Sequence, residues 1–537
     1  MDHPPEQAEF DLPAIDRDGG TPVYRQIAAV LRGRILSGDL ADGARLPATR
    51  LLAERLKLHR NTVVAAYRLL EQEGLLRSGV GAGSFARSPA ASAAGGGTGP
   101  ARGSAAESSR AGDAGAWPAV GRAARSFRWR PLMRDPMGLE NDPARWMSSR
   151  HLPVPAGAIH LSGVVPDRRL FPLDDFRASM LAVLESAGPE ILDYGAPEGD
   201  ERLRRWVVAQ LEGAGARGIR PERVFIVSGS QQGLDLLAKL LLAPGDPVAI
   251  EAPSYTGAFL ALRHSGARIL TVAMEESGLS IAALEMLLER EKVKFLYTMP
   301  SFQNPTGVSL APAERERLLA LARRTGLAIV EDHYDSDLYY EGSRPRPLLA
   351  DDPGGQVVHL GSFSKILFPG LRIGWLVVPE ELVNPLREIR WATDLASATL
   401  TQRAIEHFCR EGRLECHLQR MRRINGRRLR VMLEALAEHF PAAARWSRPT
   451  GGMTLWVELP EEIDTVELFH QAAARGVLFS PGIAFYPQGG GRSAMRLSFN
   501  RESEARIREG IARLGEMITE RLTSLPRGRA LVEGPLL

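Results

Sequence analysis

The chain has 537 residues, 44% hydrophobic and 24% charged, with a formal net charge of +3. At about 150 residues per domain this implies roughly two to four domains, and the composition excludes a wholly disordered or fibrous protein. No apolar run approaches about 18 uncharged residues, and the N-terminal MDHPPEQAEFDL lacks the basic-then-apolar layout of a signal peptide, so no membrane partner and a cytoplasmic location are expected.

The 67 basic residues include only five lysines, Lys57, Lys239, Lys292, Lys294 and Lys365, the remainder being 62 arginines. A lysine in a chemically suggestive setting therefore stands out. Cys409 and Cys416 show no CxxC and no histidine at zinc spacing, so they read as ordinary thiols and no metal is expected.

Beyond a tail (1–19), TPVYRQIAAVLRGRILSG has apolar residues at helical spacing and ends on Gly38, a natural C-cap. ARLPATRLLAERLKL and RNTVVAAYRLLEQEG follow as two more helices. Asn61 or Thr62 is expected to cap the third, and Gly74 to close it. The turn KLHR makes this a helix-turn-helix, and LLRSGVGAGSFAR alternates around glycines as a two-stranded wing does. Arg45, Arg50, Arg55, Lys57, Arg60 and Arg68 face one acid, Glu54, between residues 45 and 70. Charge alone would suit any solvated helix face, but joined to the turn and wing it suits phosphate neutralisation on DNA.

Residues 88–116 comprise 10 Ala, 7 Gly, 5 Ser and 2 Pro among 29, with no large apolar side chain. Such a segment cannot offset its ordering entropy and reads as a flexible linker spanning roughly 30 Å. Residues 117–150 carry seven arginines and Trp117, Trp129 and Trp146, and extend the linker to 150.

From 151 to 525, short apolar runs such as RVFIVSG, DPVAIEAP, FLYTMPS, LAIVEDHY, VVHLGSFS and GWLVVP alternate with helical patterns. This predicts a doubly wound, largely parallel α/β sheet. After about residue 400, long amphipathic helices and the strands MTLWVEL and AMRLSF predict a small α+β C-terminal subdomain, followed by a tail (526–537).

The chemistry concentrates at strand ends of this domain. In SFSKILFPGLR, Lys365 offers an amine for a Schiff base, with Ser362, Ser364 and Arg372 as anion ligands. Asp332 ends an apolar strand, where a carboxylate can keep a pyridine nitrogen protonated. Asn304 and Tyr334 could hold a ring hydroxyl, and Tyr255 could stack on a ring. Gly229, Ser230 and Gln231 open a helix whose amides form an anion site. Arg496 could grip a carboxylate. Taken singly, each has a bland alternative: a cap, a turn or a surface ion pair.

Two stretches resemble known families. Residues 20–87, with GARLPATRLLA and NTVVAAYRLL, resemble the GntR-type winged helix. That resemblance implies double-stranded operator DNA as partner, Arg45 and Arg50 near DNA at the start of the second helix, Arg60, Asn61 and Thr62 reading base edges, and Gly81 and Gly83 at the wing tip. Residues 155–520 resemble fold-type-I, class I aminotransferases. Here the implied cofactor is pyridoxal 5′-phosphate (PLP), with Lys365 as its Schiff-base partner and Asp332 as its pyridinium partner. Asn304, Tyr334, Tyr255, Gly229, Ser230, Gln231, Ser362, Ser364 and Arg372 would bind the cofactor, and Arg496 the ligand carboxylate. Tyr194 would reach the site of a second subunit in a homodimer.

The combination resembles the MocR/GabR-type transcription regulators. It implies a regulator of amino-acid, amine or vitamin B6 metabolism that senses PLP itself or an amino compound through aldimine exchange at Lys365. The alternatives are an active aminotransferase with an appended head, and a DNA-binding scaffold that no longer binds PLP.

Overall fold

The computed structural model describes residues 23–37, 39–41, 43–56, 58–72, 75–79, 83–87 and 154–524. The chain divides into two compact units, residues 1–125 and 126–537.

In the first unit, α1 (Val23–Ser37) buries Ile27, Ala28, Leu31 and Ile35, one face of a 3.6-residue period. That face packs with Leu52 of α2 (Thr49–Arg55) and with Val63, Ala66, Tyr67 and Leu70 of α3 (Arg60–Gln72). The Tyr67 hydroxyl donates to the Pro47 carbonyl at 2.8 Å, fastening α3 to the segment leading into α2. Strands β1 (Arg45–Leu46), β2 (Leu76–Gly79) and β3 (Gly83–Ala86) pair antiparallel in the order β1-β3-β2.

Two details differ from expectation. The expected two-stranded wing gains a third strand, because Arg45 and Leu46 pair with Phe85 and Ser84; Arg45 thus sits on a strand rather than at the start of α2. The third helix begins at Arg60, ahead of the expected caps Asn61 and Thr62, and His59 Nδ1 accepts the Asn61 amide at 3.3 Å. An imidazole nitrogen supplies there the acceptor that a side-chain oxygen usually offers. Gly38, Gly74 and Gly81 lie outside the described residues.

The second unit begins with β4 (Ile159–His160). Its central sheet contains β5 (Val224–Val227), β6 (Pro247–Ala252), β7 (Arg268–Glu275), β8 (Gly278–Leu279), β9 (Phe295–Thr298), β10 (Ala328–Asp332), β11 (Val357–Ser362) and β12 (Gly374–Val377), in the order β5-β12-β11-β10-β9-β6-β7-β8. The strands β11, β10, β9, β6 and β7 run parallel, whereas β12 is antiparallel to both neighbours and β8 to β7. Strands β5, β9, β11 and β12 are buried throughout, which is why they read as mainly apolar runs rather than alternating ones.

The C-terminal subdomain has a second, antiparallel sheet, β13 (Arg445–Trp446), β14 (Thr454–Glu458), β16 (Ser480–Pro481) and β17 (Ala494–Ser498), ordered β13-β14-β17-β16. The long helices Arg413–His439 and Glu504–Ser524 share a core with it that includes Met432, Leu436, Leu497, Ile511 and Leu514. Strand β15 (Val477–Leu478) pairs parallel with β4, which carries the following residues, 161–167, across the subdomain to the mouth of a pocket.

Candidate functional site

Parallel strands deliver their C-terminal residues to one edge of the sheet, and the site is assembled there. Asp332 ends β10, Ser362 ends β11, and the turn after β9 brings Asn304. The loop after β5 leads to Gly229, which caps the helix Ser230–Leu241 with φ +87°, a left-handed conformation that glycine tolerates. A Cβ at Gly229 would lie 2.6 Å from an Arg372 Nη2. The amides of Ser230 and Gln231, the first of that helix, have no acceptor within it, the geometry of an anion cradle. Arg372 is itself left-handed, with φ +51°, and its Nη2 donates to the Ser228 carbonyl at 2.9 Å. A non-glycine residue in that region is strained, a cost that contacts such as the Arg372–Ser228 hydrogen bond offset.

These pieces line one cavity of about 470 Å³. It brings together Ser230, Gln231, Tyr255, Asn304, Asp332, Tyr334, Ser362, Ser364, Lys365, Arg372 and Arg496, with Gly229 just behind Ser230. Tyr194 does not line it and is 84% exposed on its own chain.

Lys365 Nζ donates to the Val164 carbonyl at 2.6 Å. Burial, reinforced by Arg496 and Arg372, lowers its pKa to about 8, against the opposing pull of Asp335 and Asp332. Asp332 Oδ2 accepts from the Tyr297 hydroxyl at 2.7 Å, whereas its buried Oδ1 has no partner. Burial raises the Asp332 pKa to about 6, although the Tyr297 hydrogen bond and His359 pull it down. Arg496 is buried without a carboxylate partner among the described residues. Its guanidinium donates to Asn304 Oδ1 at 2.9 Å, the Ser162 carbonyl at 2.5 Å and Ser480 Oγ at 3.1 Å, over the Phe485 ring. Burial lowers its pKa to about 10.

Tyr255 caps the helix Thr256–His264, and its hydroxyl lies 3.4 Å from Gln231 Oε1. A Cβ at Gly257 would meet the Tyr255 ring at 2.5 Å, so glycine there leaves the ring its position. The Tyr334 hydroxyl donates weakly to the Phe302 carbonyl at 3.4 Å. Ser362 Oγ accepts the Ser364 amide at 3.1 Å, shaping the turn that presents Lys365.

Several supporting groups were not singled out in the sequence. Tyr297 is one: in FLYTMPS it is hidden inside an apolar run, where only its hydroxyl marks it. Glu251 is another, accepting from Thr298, the Met299 amide at 2.9 Å and Gln303 at 3.0 Å; burial raises its pKa to about 7. Behind Asp332, Glu331 accepts from His359 at 3.1 Å and from the Leu348 amide at 2.7 Å. Burial alone would raise Glu331, but His359 and His333 outweigh it and hold it at about 2. Glu331, His333 and His359 bring ligand atoms within 4.8 Å of one another, and the hydrogen bonds from His359 and the Leu348 amide already satisfy the Glu331 carboxylate. Arg390, fully buried, bonds Ser397 at 2.7 Å and Gln232, whose Oε1 in turn holds the Ser228 amide at 2.7 Å beneath the anion cradle.

The first unit presents a second candidate surface. Arg60 and Asn61 open α3 and are exposed, with Thr62 partly buried beside them. Arg45 is exposed on β1. Arg50 belongs to α2, but its side chain, like any at Gly83, lies outside the described residues.

The large unit's sheet with its antiparallel β12, and the cavity lined by both Lys365 and Asp332, define an aminotransferase-type fold. Residues 168–514 match the family Aminotransferase class I and II, and residues 23–85 match Bacterial regulatory proteins, gntR family. The chain is 39% identical over 367 residues to a 2-aminoadipate transaminase of Thermus thermophilus, covering 67% of this chain and 90% of that protein. The crystal structure of LysN, an alpha-aminoadipate aminotransferase from Thermus thermophilus complexed with N-(5′-phosphopyridoxyl)-L-leucine, superposes with a TM-score of 0.68 at 36% identity, over 74% of this chain and all of that one. Across both units the chain is 30% identical over 525 residues to the probable rhizopine catabolism regulatory protein MocR of Rhizobium meliloti, covering 96% of this chain and 99% of that one. The chain belongs to the class I and II aminotransferase family, in its MocR-type branch with a fused gntR-family head.

Proposed function

We propose that the protein is a PLP-binding transcription regulator that contacts operator DNA through α3 and senses a small amino compound in the Lys365 pocket. The observation that carries this reading is the presence, in one chain, of an exposed α3 N-terminus and a pocket holding two buried groups that lack partners of opposite charge or proton. Those groups are Asp332 Oδ1 and Arg496.

The residues present fit PLP. Asp332 Oδ1 is a buried acceptor in need of a donor, as a protonated ring nitrogen supplies. Ser230, Gln231, Ser362, Ser364 and Arg372 would hold the phosphate, with Gly229 allowing Arg372 to approach. Asn304 and Tyr334 would hold the ring oxygen, and Tyr255 would cover the ring. When bound, PLP supplies an aldehyde carbon that reacts with amines and a ring that accepts electron density.

Lys365 supplies the chain's own amine. With a pKa of about 8, about a tenth of it is neutral at pH 7, several hundred times more than for an ordinary lysine. Asp332, with a pKa of about 6, is mainly ionised at that pH and able to hold a proton on a neighbouring nitrogen. Arg496 selects ligands that carry a carboxylate. Because Lys365 is tied to the Val164 carbonyl, its engagement or release is felt by the strap at 162–165, a physical route by which ligand identity biases two conformations. Two such chains, cytoplasmic and paired as a homodimer with Tyr194 facing the partner's site, would present two heads to two half-sites.

The test is Lys365→Ala in the full chain. Borohydride should fix PLP to wild type at Lys365 and to no residue of the variant. Operator binding should persist with unchanged salt dependence while the response to amino compounds disappears. A full effector response in Lys365→Ala would sink the sensing mechanism. A second reading, an aminotransferase with a DNA-binding head, is favoured by the completeness of the pocket; sustained keto-acid turnover by wild type would establish it.

A further inference from the structure

On the far side of the strap from Lys365 lies a second cavity, of about 480 Å³, the size of a small-molecule site. Val165 lines both cavities. Four arginines surround the outer one, and two are already neutralised. Arg169 grips Asp167 bidentately at 2.8 and 2.9 Å, and Arg506 holds Glu502 at 2.8 Å. Arg168 and Arg501 remain: both are exposed, and neither guanidinium has an acidic partner among the described residues. The acids are committed elsewhere as well, since Asp167 also pairs with buried Arg428 at 2.6 Å and Glu502 accepts the His160 amide at 2.9 Å. Burial first, and then Arg501 and Arg506 against the opposing Glu502, hold the His160 imidazole below its usual range.

We infer that this cavity is a second ligand site, taking a small organic dianion between Arg168 and Arg501. Two guanidiniums lining one concavity match the two charges of a phosphate monoester or a short dicarboxylate. Its wall is the strap itself. Successive strap carbonyls are held from the inner side: Ser162 by Arg496 and Ser480, Gly163 by Ser498 at 2.9 Å, and Val164 by Lys365. Asp167 and Arg168, at the strap's end, face the outer cavity. An anion drawing Arg168 outward therefore acts on the backbone that Lys365 and Arg496 hold, so the outer site modulates the inner one.

The experiment uses the full-length protein and calorimetric titration with glycerol 3-phosphate and with succinate, glycerol serving as the uncharged control. The site requires no PLP, so the titration stands apart from the reading given above. Arg372→Ala separates it from the inner anion cradle. Binding of either dianion should weaken at least about tenfold in Arg168→Ala and in Arg501→Ala, recover partly in Arg501→Lys, and persist in Arg372→Ala. The better of the two probes identifies phosphate or carboxylate as the ligand chemistry. No binding, or binding lost only in Arg372→Ala, overturns the site. Displacement of the dianion by random-sequence duplex DNA overturns the small-ligand assignment in favour of a nucleic-acid contact. In PLP-treated protein the dianion should shift the absorbance of the Lys365 chromophore; a bound dianion with an unchanged spectrum overturns the coupling.

Discussion

Lys365 Nζ and the Val164 carbonyl lie 2.6 Å apart although 201 positions separate them in the chain. The contact places the reactive amine against backbone rather than against a carboxylate. That choice matters, because a carboxylate at that distance would stabilise the ammonium and raise its pKa, whereas burial beside Arg496 and Arg372 lowers it.

The first prediction concerns this amine. Its neutral, nucleophilic form grows as pH rises through the folded pKa. Reductive labelling of Lys365 by a small aldehyde should therefore increase with a midpoint near pH 8, with exposed Lys292 labelled in parallel as the comparison. Removing the cation in Arg496→Ala should move the Lys365 midpoint upward, since a like charge no longer opposes protonation. Mass-spectrometric labelling against pH reads both, and identical profiles for the two lysines would count against the buried-amine account.

Tyr297→Phe should weaken PLP retention. The hydroxyl donates to the ionised form of Asp332, and its loss pushes the Asp332 pKa above about 6. A hydrogen bond to a charged group contributes about 1.5–3 kcal/mol, so the loss in affinity should be tenfold or more. It should be larger at pH 6 than at pH 8, because protonated Asp332 is no longer a charged acceptor for a ring proton. Equilibrium dialysis at the two pH values is the check.

Gly374→Ala should damage the fold at the anion cradle. Its Cβ would sit 2.7 Å from the Gly361 carbonyl, 3.0 Å from the Ser230 amide nitrogen and 3.1 Å from the Gly229 carbonyl carbon, all backbone. Overpacking of this kind costs about 1–3 kcal/mol. Thermal unfolding should report the destabilisation, and Ser230 should no longer support phosphate binding in whatever protein remains folded.

On the DNA side, Arg60→Ala and Asn61→Ala should weaken operator binding, with Lys292→Ala as a neutral control. A base-reading arginine should cost about 1–3 kcal/mol and relax specificity, whereas a phosphate contact lowers affinity evenly across sequences. Gel shifts on operator and scrambled duplexes distinguish the two. Unchanged binding in both variants would remove α3 from the recognition surface.

Much was legible in the chain. Mainly apolar runs announce β5, β9, β11 and β12 because those strands are buried on both faces, and residues following several of them line the pocket. Lys365 stood out because only five lysines occur. The misreadings lay where local signals compete. Asn61 is the better cap by side-chain chemistry, yet the helix starts at Arg60, two residues before a helix capped by Asn61 would, and His59 accepts the Asn61 amide. Arg45 looked like a helix-start residue, but pairing with Phe85 drew it into a strand, a long-range choice that no local propensity encodes.

The sequence by itself determined the periods, the strand ends and the chemically able residues, since these depend on neighbours a few positions away. Only the tertiary structure decided which charges are answered. That Asp332 Oδ1 and Arg496 lack counterparts among the described residues, and that Lys365 meets Val164 across 201 positions, depend on contacts between distant parts of the chain, whereas Arg169 and Arg506 find Asp167 and Glu502 only two and four positions away. Electrostatic energy depends on distance in space and on the water excluded there, and neither is written in the order of the chain.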